Sequence, residues 1–237
     1  EQDPLAKRIN EQIAADQPGQ LTPSFQPRSA CAVSRQPPPL FLCPSDPVAG
    51  TSIGRQGCGG SNYVGNFGSG VRRDGFNGMF LFLQPKAWGT PDHIRPQHVS
   101  DGLSNTAMLS EVLLEDGSTD RLRNLWELSQ QFIGSEEFDE FVAACENVDV
   151  ESAQSLGGPG SPWAKGSAGS SLYCHVLPPN RPSCENGPYG AYTAASHHRN
   201  GVNVLYADGA VRFISEDVDR GVWRAFGSRD GADTVGF

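Results

Sequence analysis

The chain has 237 residues, 37 % of them hydrophobic, with 18 basic against 27 acidic side chains and a net charge of −9. That acidity argues against nucleic acid and anionic membrane surfaces as partners, and no run approaches the roughly 18 apolar residues of a membrane helix. Twenty-eight Gly and 18 Pro, with a mean hydropathy of −0.41, indicate a soluble, loop-rich, mostly β domain long enough to bury a core.

Leu5, Ile9 and Ile13 recur every four residues and predict an amphipathic helix ending near Asp16, before Pro18-Gly19. Residues 17–39 are rich in Pro, Gln and Ser and read as extended coil up to Pro37-Pro38-Pro39. Leu40–Cys43 is expected as a short strand stopped by Pro44-Ser45-Asp46-Pro47, where Ser45 and Asp46 can accept from turn amides. A Gly-rich loop follows, then a strand at Asn62–Phe67 and a buried strand at Phe76–Leu83. Ala107–Leu114 alternates without a purely polar face and reads as a central strand.

Residues 119–146 change character. Leu122, Leu125, Trp126, Leu128, Phe132 and Ile133 recur at helical spacing. Ser135 can cap a second helix carrying Phe138, Phe141, Val142 and Cys145. This pair suggests an insertion over 116–190, which also holds a flexible loop at 155–171 around Trp163. Near the C-terminus, Val204–Ala207 and Ala210–Ile214 flank Asp208-Gly209, a strong hairpin signal. A two-residue turn sets Tyr206 opposite Val211 and Val204 opposite Phe213, all four on one buried face. Val222–Phe226 is expected as a helical turn covering an open sheet edge.

Six Cys in a Gly/Pro-rich chain, without paired zinc spacing, favour disulfides in an oxidising compartment over free thiols. Cys174–Cys184 brackets a turn-rich segment and is the expected pair. Two of Cys31, Cys43 and Cys58 form another, with Cys43–Cys58 as the candidate. His197-His198 and Asp208 suggest a His–Asp dyad, but ten extended residues span about 33 Å. His198 is therefore expected as a hydrogen-bonded structural residue, with a metal or catalytic role as the alternative. Asp101, Ser104, Asn105 and Thr106 gather oxygen-bearing side chains. Asp101 and Asn105 are the candidate Ca2+ ligands, although Asx and Ser/Thr turns explain the same residues. No other cofactor is expected. No nucleophile elbow, zincin motif or phosphate loop is present. The acidic pairs near residue 137 read as a solvated helix face. Trp88, Trp126, Trp163 and Trp223 read as packing residues rather than sugar platforms.

Four stretches carry a resemblance: FLCPSDP (41–47), SNYVGNFG (61–68), DGLSNTAMLSE (101–111) and His198 followed after nine residues by Asp208-Gly209. In this order they resemble planctomycete-type secreted proteins with a prepilin-like N-terminus and a C-terminal H-X9-DG motif, a domain of unknown function. Glu1-Gln2-Asp3-Pro4-Leu5 is similar to the end of a phrase that follows the prepilin helix there. The resemblance implies that this helix lies upstream of the present chain and provides any anchoring. It implies an α+β fold, a single pilin- or pseudopilin-like globular domain over 1–237, with an antiparallel sheet, a C-terminal β-hairpin and disulfide-pinned loops. It implies an extracytoplasmic, non-enzymatic structural or accessory subunit with protein partners in an oligomeric or filamentous assembly. The rival is a glycan-binding protein or hydrolase with its site in the Trp-bearing loops.

Overall fold

Extended runs of β-branched and aromatic residues pair into two sheets in the computed structural model, which describes residues 4, 7, 11, 35–51, 54, 57–71, 77–81, 93–130, 132 and 138–231. The architecture is α+β with mixed, mostly antiparallel sheets. The main sheet has strand order β4-β1-β2-β7-β8, built from β1 (Tyr63–Gly68), β2 (Ala107–Glu111), β4 (Leu172–Cys174), β7 (Gly201–Tyr206) and β8 (Val211–Ser215). Only β4 runs parallel to its neighbour, β1. A smaller sheet, order β3-β5-β6, comprises β3 (Leu125–Glu127), β5 (Ser183–Asn186) and β6 (Tyr189–Ala191). The expected β1 is present, and β2 is central, between β1 and β7.

Side chains alternate across the main sheet. Val64, Ser110 and Val204 share a register row and a buried face with Val202 and Tyr206. Helix α1 (Phe138–Glu146) buries Phe138, Phe141, Val142 and Cys145, the stripe expected of it. Helix α2 (Arg220–Gly227) starts at Asp219, whose carboxylate accepts from the Val222 amide. It lies over the sheet face rather than on an open edge. Phe226 meets Tyr206 edge-on at 5.7 Å, and Trp223 stacks on His175 at 3.9 Å.

His175 is buried, held between the Tyr173 hydroxyl and the Trp223 carbonyl, each at 2.8 Å. Burial pushes its imidazole down to about 3, so it is neutral in the fold.

Several expectations are corrected. The hairpin loop has three residues. The Tyr206 carbonyl accepts from Gly209, and the Tyr206 amide donates to Ala210. Gly209 has φ +91° while Asp208 is not at positive φ, which excludes a type I′ turn. The register slips by one: Leu205 pairs with Val211 and Asn203 with Phe213. That slip turns β8 over, so Val211 and Phe213 are 66 % and 53 % exposed while Val204 and Tyr206 are buried.

No helix forms at 119–130. The Asp116 and Asp120 carboxylates accept from the Ser118 and Leu122 amides, and Asn124 donates to two carbonyls of the same turn. Such local bonds compete with helix, and Leu125–Glu127 pairs with β5 instead. The span 116–190 thus holds one described helix, not a pair, and contributes β4 to the main sheet. Pro39–Phe41 is a 3-10 turn rather than strand. Asn77–Leu81 lacks strand geometry but bonds along β1 through Gly78 and Phe80. Phe76, Phe82, Leu83 and Trp88 lie outside the described residues. So do Leu5, Ile9 and Ile13, although Lys7 and Glu11 of that expected helix are helical.

The disulfide pairing also differs. Cys184 bonds Cys145, fastening α1 to β5, so Cys174–Cys184 does not form. Cys43 and Cys174 are free and buried, and Cys58 is disulfide-bonded, which removes Cys43–Cys58. Burial pushes the Cys174 thiol up to about 12. The loop around Trp163 is packed rather than loose. Gly160, at φ +79°, lies where a Cβ would meet the Ser61 carbonyl oxygen at 2.3 Å, and its own carbonyl accepts from the Ser61 amide.

Candidate functional site

The segment after Pro39-Leu40-Phe41 turns tightly, because the Cys43 carbonyl accepts from the Asp46 amide and Asp46 Oδ1 from the Val48 amide. Asn62, just before β1, clamps this turn. Its Oδ1 accepts from the Cys43 amide at 3.0 Å, and its Nδ2 donates to Asp46 Oδ2 at 2.8 Å and to the Val112 carbonyl at 2.9 Å. The Leu114 amide also donates to Asp46 Oδ2, at 3.0 Å. Arg123 places Nη2 3.0 Å from Asp46 Oδ1, with both side chains almost fully buried. The same guanidinium donates to the Leu114 carbonyl and meets Asp116 and His197. Burial alone would raise the Asp46 carboxyl. The Leu114 amide, Arg123 and Asn62 outweigh burial and hold it below its ordinary range.

This clamp fixes Cys43 beside the end of β2. Glu111, the last residue of β2, pairs in register with Tyr63. Its Oε2 accepts from the Asn203 backbone amide at 2.7 Å, which fixes the carboxylate at the strand end. Three groups converge on Oε1: His198 Nε2 at 3.1 Å, the Asn203 side-chain amide at 3.4 Å and the Cys43 thiol at 3.9 Å. The three ligand-type atoms, Glu111 Oε1, His198 Nε2 and Cys43 Sγ, all lie within 4.8 Å of one another. Cys43 and Glu111 are buried, whereas the His198 side chain is 30 % exposed. Tyr63 stands beside them. Burial, then Cys43 and Glu111, push its phenol up to about 12, so it remains a protonated donor.

The four sequence stretches thus meet at one place. Cys43 and Asp46 come from the first, Asn62 and Tyr63 from the second, Glu111 from the third and His198 from the fourth. His198 is hydrogen-bonded within the fold, as expected, but to Glu111. Asp208 is exposed in the hairpin loop, where its carboxylate accepts from the Ala210 amide. Gly209 supplies the positive φ of that loop. Glu111 and Arg123 were not evident as site residues from the sequence. The available signal was a carboxylate closing an otherwise buried strand.

Asp101 and Asn105 lie elsewhere. Asp101 Oδ2 accepts from the Gly231 amide, and Asn105 Nδ2 donates to the Asp101 carbonyl. Among the described residues, no group of three His, Cys, Asp or Glu ligands includes Asp101. Trp126 and Trp223 are buried, and Trp163 packs on Phe41 at 5.7 Å. A cleft of about 850 Å³ beside α1 contains none of the converging residues.

Chemically, a thiol and an imidazole directed at one carboxylate oxygen do not form a nucleophile–base–orienter chain, which needs its members in series. The arrangement is one of convergence. The model of a family of proteins of unknown function (DUF1559) matches residues 1–221. No curated protein and no solved structure matches the chain.

Proposed function

Because the chain belongs to this DUF1559 family of proteins of unknown function, we propose that it acts as a non-enzymatic structural or accessory subunit of an extracellular or cell-envelope assembly. Its role is pseudopilin-like, in keeping with the resemblance to planctomycete-type secreted proteins with a prepilin-like N-terminus. The observation that carries this reading is β8. Among the described residues it is an edge strand of the main sheet, and it holds Val211 and Phe213 out to solvent. An exposed apolar edge strand is a template for pairing with another chain, and monomeric proteins normally blunt it. A strand from a neighbouring subunit laid against β8 satisfies its outer backbone groups and covers both side chains. Against the glycan-binding or hydrolase reading stand the buried Trp126 and Trp223 and the packing of Trp163 on Phe41.

The test is association of the full chain by analytical ultracentrifugation, comparing wild type with Val211→Lys and Phe213→Lys. Wild-type oligomers that both variants dissociate support the reading. A wild-type chain monomeric at every accessible concentration, or oligomers indifferent to both variants, refutes it.

A further inference from the structure

We infer that Cys43, Glu111 and His198 form a binding site for a borderline-soft divalent transition metal, with Zn2+ the best match. Thiolate, imidazole and carboxylate are the three zinc-binding groups of proteins, and three protein ligands with one open position is an established zinc arrangement. Metal–ligand distances of about 2.0–2.3 Å place tetrahedral ligand atoms roughly 3.3–3.8 Å apart. Here Glu111 Oε1 lies 3.1 Å from His198 Nε2 and 3.9 Å from Cys43 Sγ, and no pair exceeds 4.8 Å. The two Glu111 pairs need shifts of a few tenths of an ångström, and Cys43 and His198 need to approach each other by at most about 1.5 Å.

The supports of the ligands strengthen the case. Glu111 is aimed by the Asn203 amide on its other oxygen, and the Cys43 amide is fixed by Asn62. The His198 amide donates to the Ser196 hydroxyl. Partners of this kind orient metal ligands before the metal arrives. Charge is also consistent, because thiolate and carboxylate together neutralise a divalent ion. Binding displaces the thiol proton to solvent. The partly exposed His198 marks the side from which the ion enters and where a fourth ligand stands. The ion would tie together residues 43, 111 and 198, which no short spacing in the sequence connects.

The test loads the full chain, its disulfides intact and Cys43 already a free thiol, with Co2+ as a spectroscopic probe and then with Zn2+. The expected result is one Co2+ per chain with a thiolate-to-metal charge-transfer band that Zn2+ abolishes. Cys43→Ser removes the band, Glu111→Gln and His198→Ala each weaken binding at least tenfold, and Cys174→Ala leaves the band intact. X-ray absorption of the Zn2+-loaded wild type, which needs no variant to fold, is expected to show one sulfur at about 2.3 Å among nitrogen and oxygen ligands. Absence of the band from wild type, its survival in Cys43→Ser, or a zinc shell without sulfur overturns the site.

Discussion

The junction around Asp46 and the edge strand β8 invert the usual distribution of side chains in opposite senses. At the junction, a carboxylate, a guanidinium and an amide are buried and mutually satisfied. On β8, a Val and a Phe stand in solvent. Buried polar groups and exposed apolar ones are the informative departures from ordinary burial. The junction spends its polar groups on position, because every one of them fixes a turn or strand end next to Cys43 and Glu111. The edge leaves about two-thirds of Val211 and half of Phe213 uncovered within the chain, although the Phe213 ring lies against Gly201.

Breaking the junction has the largest expected effect. Arg123→Ala leaves Asp46 buried beside no cation and is expected to cost about 3–5 kcal/mol, read by urea denaturation. The double variant with Asp46→Ala is expected to cost less than the sum of the two single changes. A loss below about 1 kcal/mol, the range of an exposed pair, would show that this ion pair is wet.

A second buried polar group gives a pH dependence. His175 is neutral when folded, its imidazole held near 3, whereas the unfolded chain takes up a proton near 6.5. The unfolded state therefore binds more protons between these values. The His175 contribution is complete above about pH 6.5 and is lost as pH falls toward 3, at about 1.4 kcal/mol per unit. Subtracting the stability–pH curve of His175→Gln from that of wild type isolates the slope. A flat difference would mean that the imidazole is solvated.

At the hairpin, Gly209→Val forces a β-branched residue to φ +91° and is expected to cost about 1–2 kcal/mol, measured as a shift of the urea midpoint. Smallest is Phe213→Ala, expected within about 0.5 kcal/mol of wild type as a monomer. The same change in a buried position costs about 3–5 kcal/mol. This measurement thus separates the observed register from the two-residue alternative.

Elements with local, periodic signals were legible: β1, β2, β7 and the apolar stripe of α1, with α2 expected only as a single helical turn. The hairpin was legible but its register was not, since Asp-Gly suits both a two-residue turn and a three-residue loop ending in a left-handed glycine. The helical spacing of Leu122, Leu125 and Leu128 was overridden by the Asp and Asn side chains beside them. Leu40–Cys43 followed three prolines, which favoured a turn. At the site, the sequence pointed to Cys43, Asp46 and His198 singly, through the motifs. What it lacked was Glu111, which joins Cys43 and His198 across 68 and 87 positions. Such separations leave no periodicity to read.

Asn66 has a bearing on how the chain is made. Its side-chain amide, buried in β1, donates to the carbonyls of Ala107 and Gly227, 41 and 161 positions downstream. The middle of the sheet is therefore finished by a segment that leaves the ribosome long after β1. Until residue 227 emerges, that amide has only one of its two partners, and the sheet face lacks the helix that covers it. Loops of this length close slowly, because their entropy is lost before the contacts they enable are gained. Whatever the order in which β2, β4, β7 and β8 join the sheet, this face is complete only once α2 packs on it.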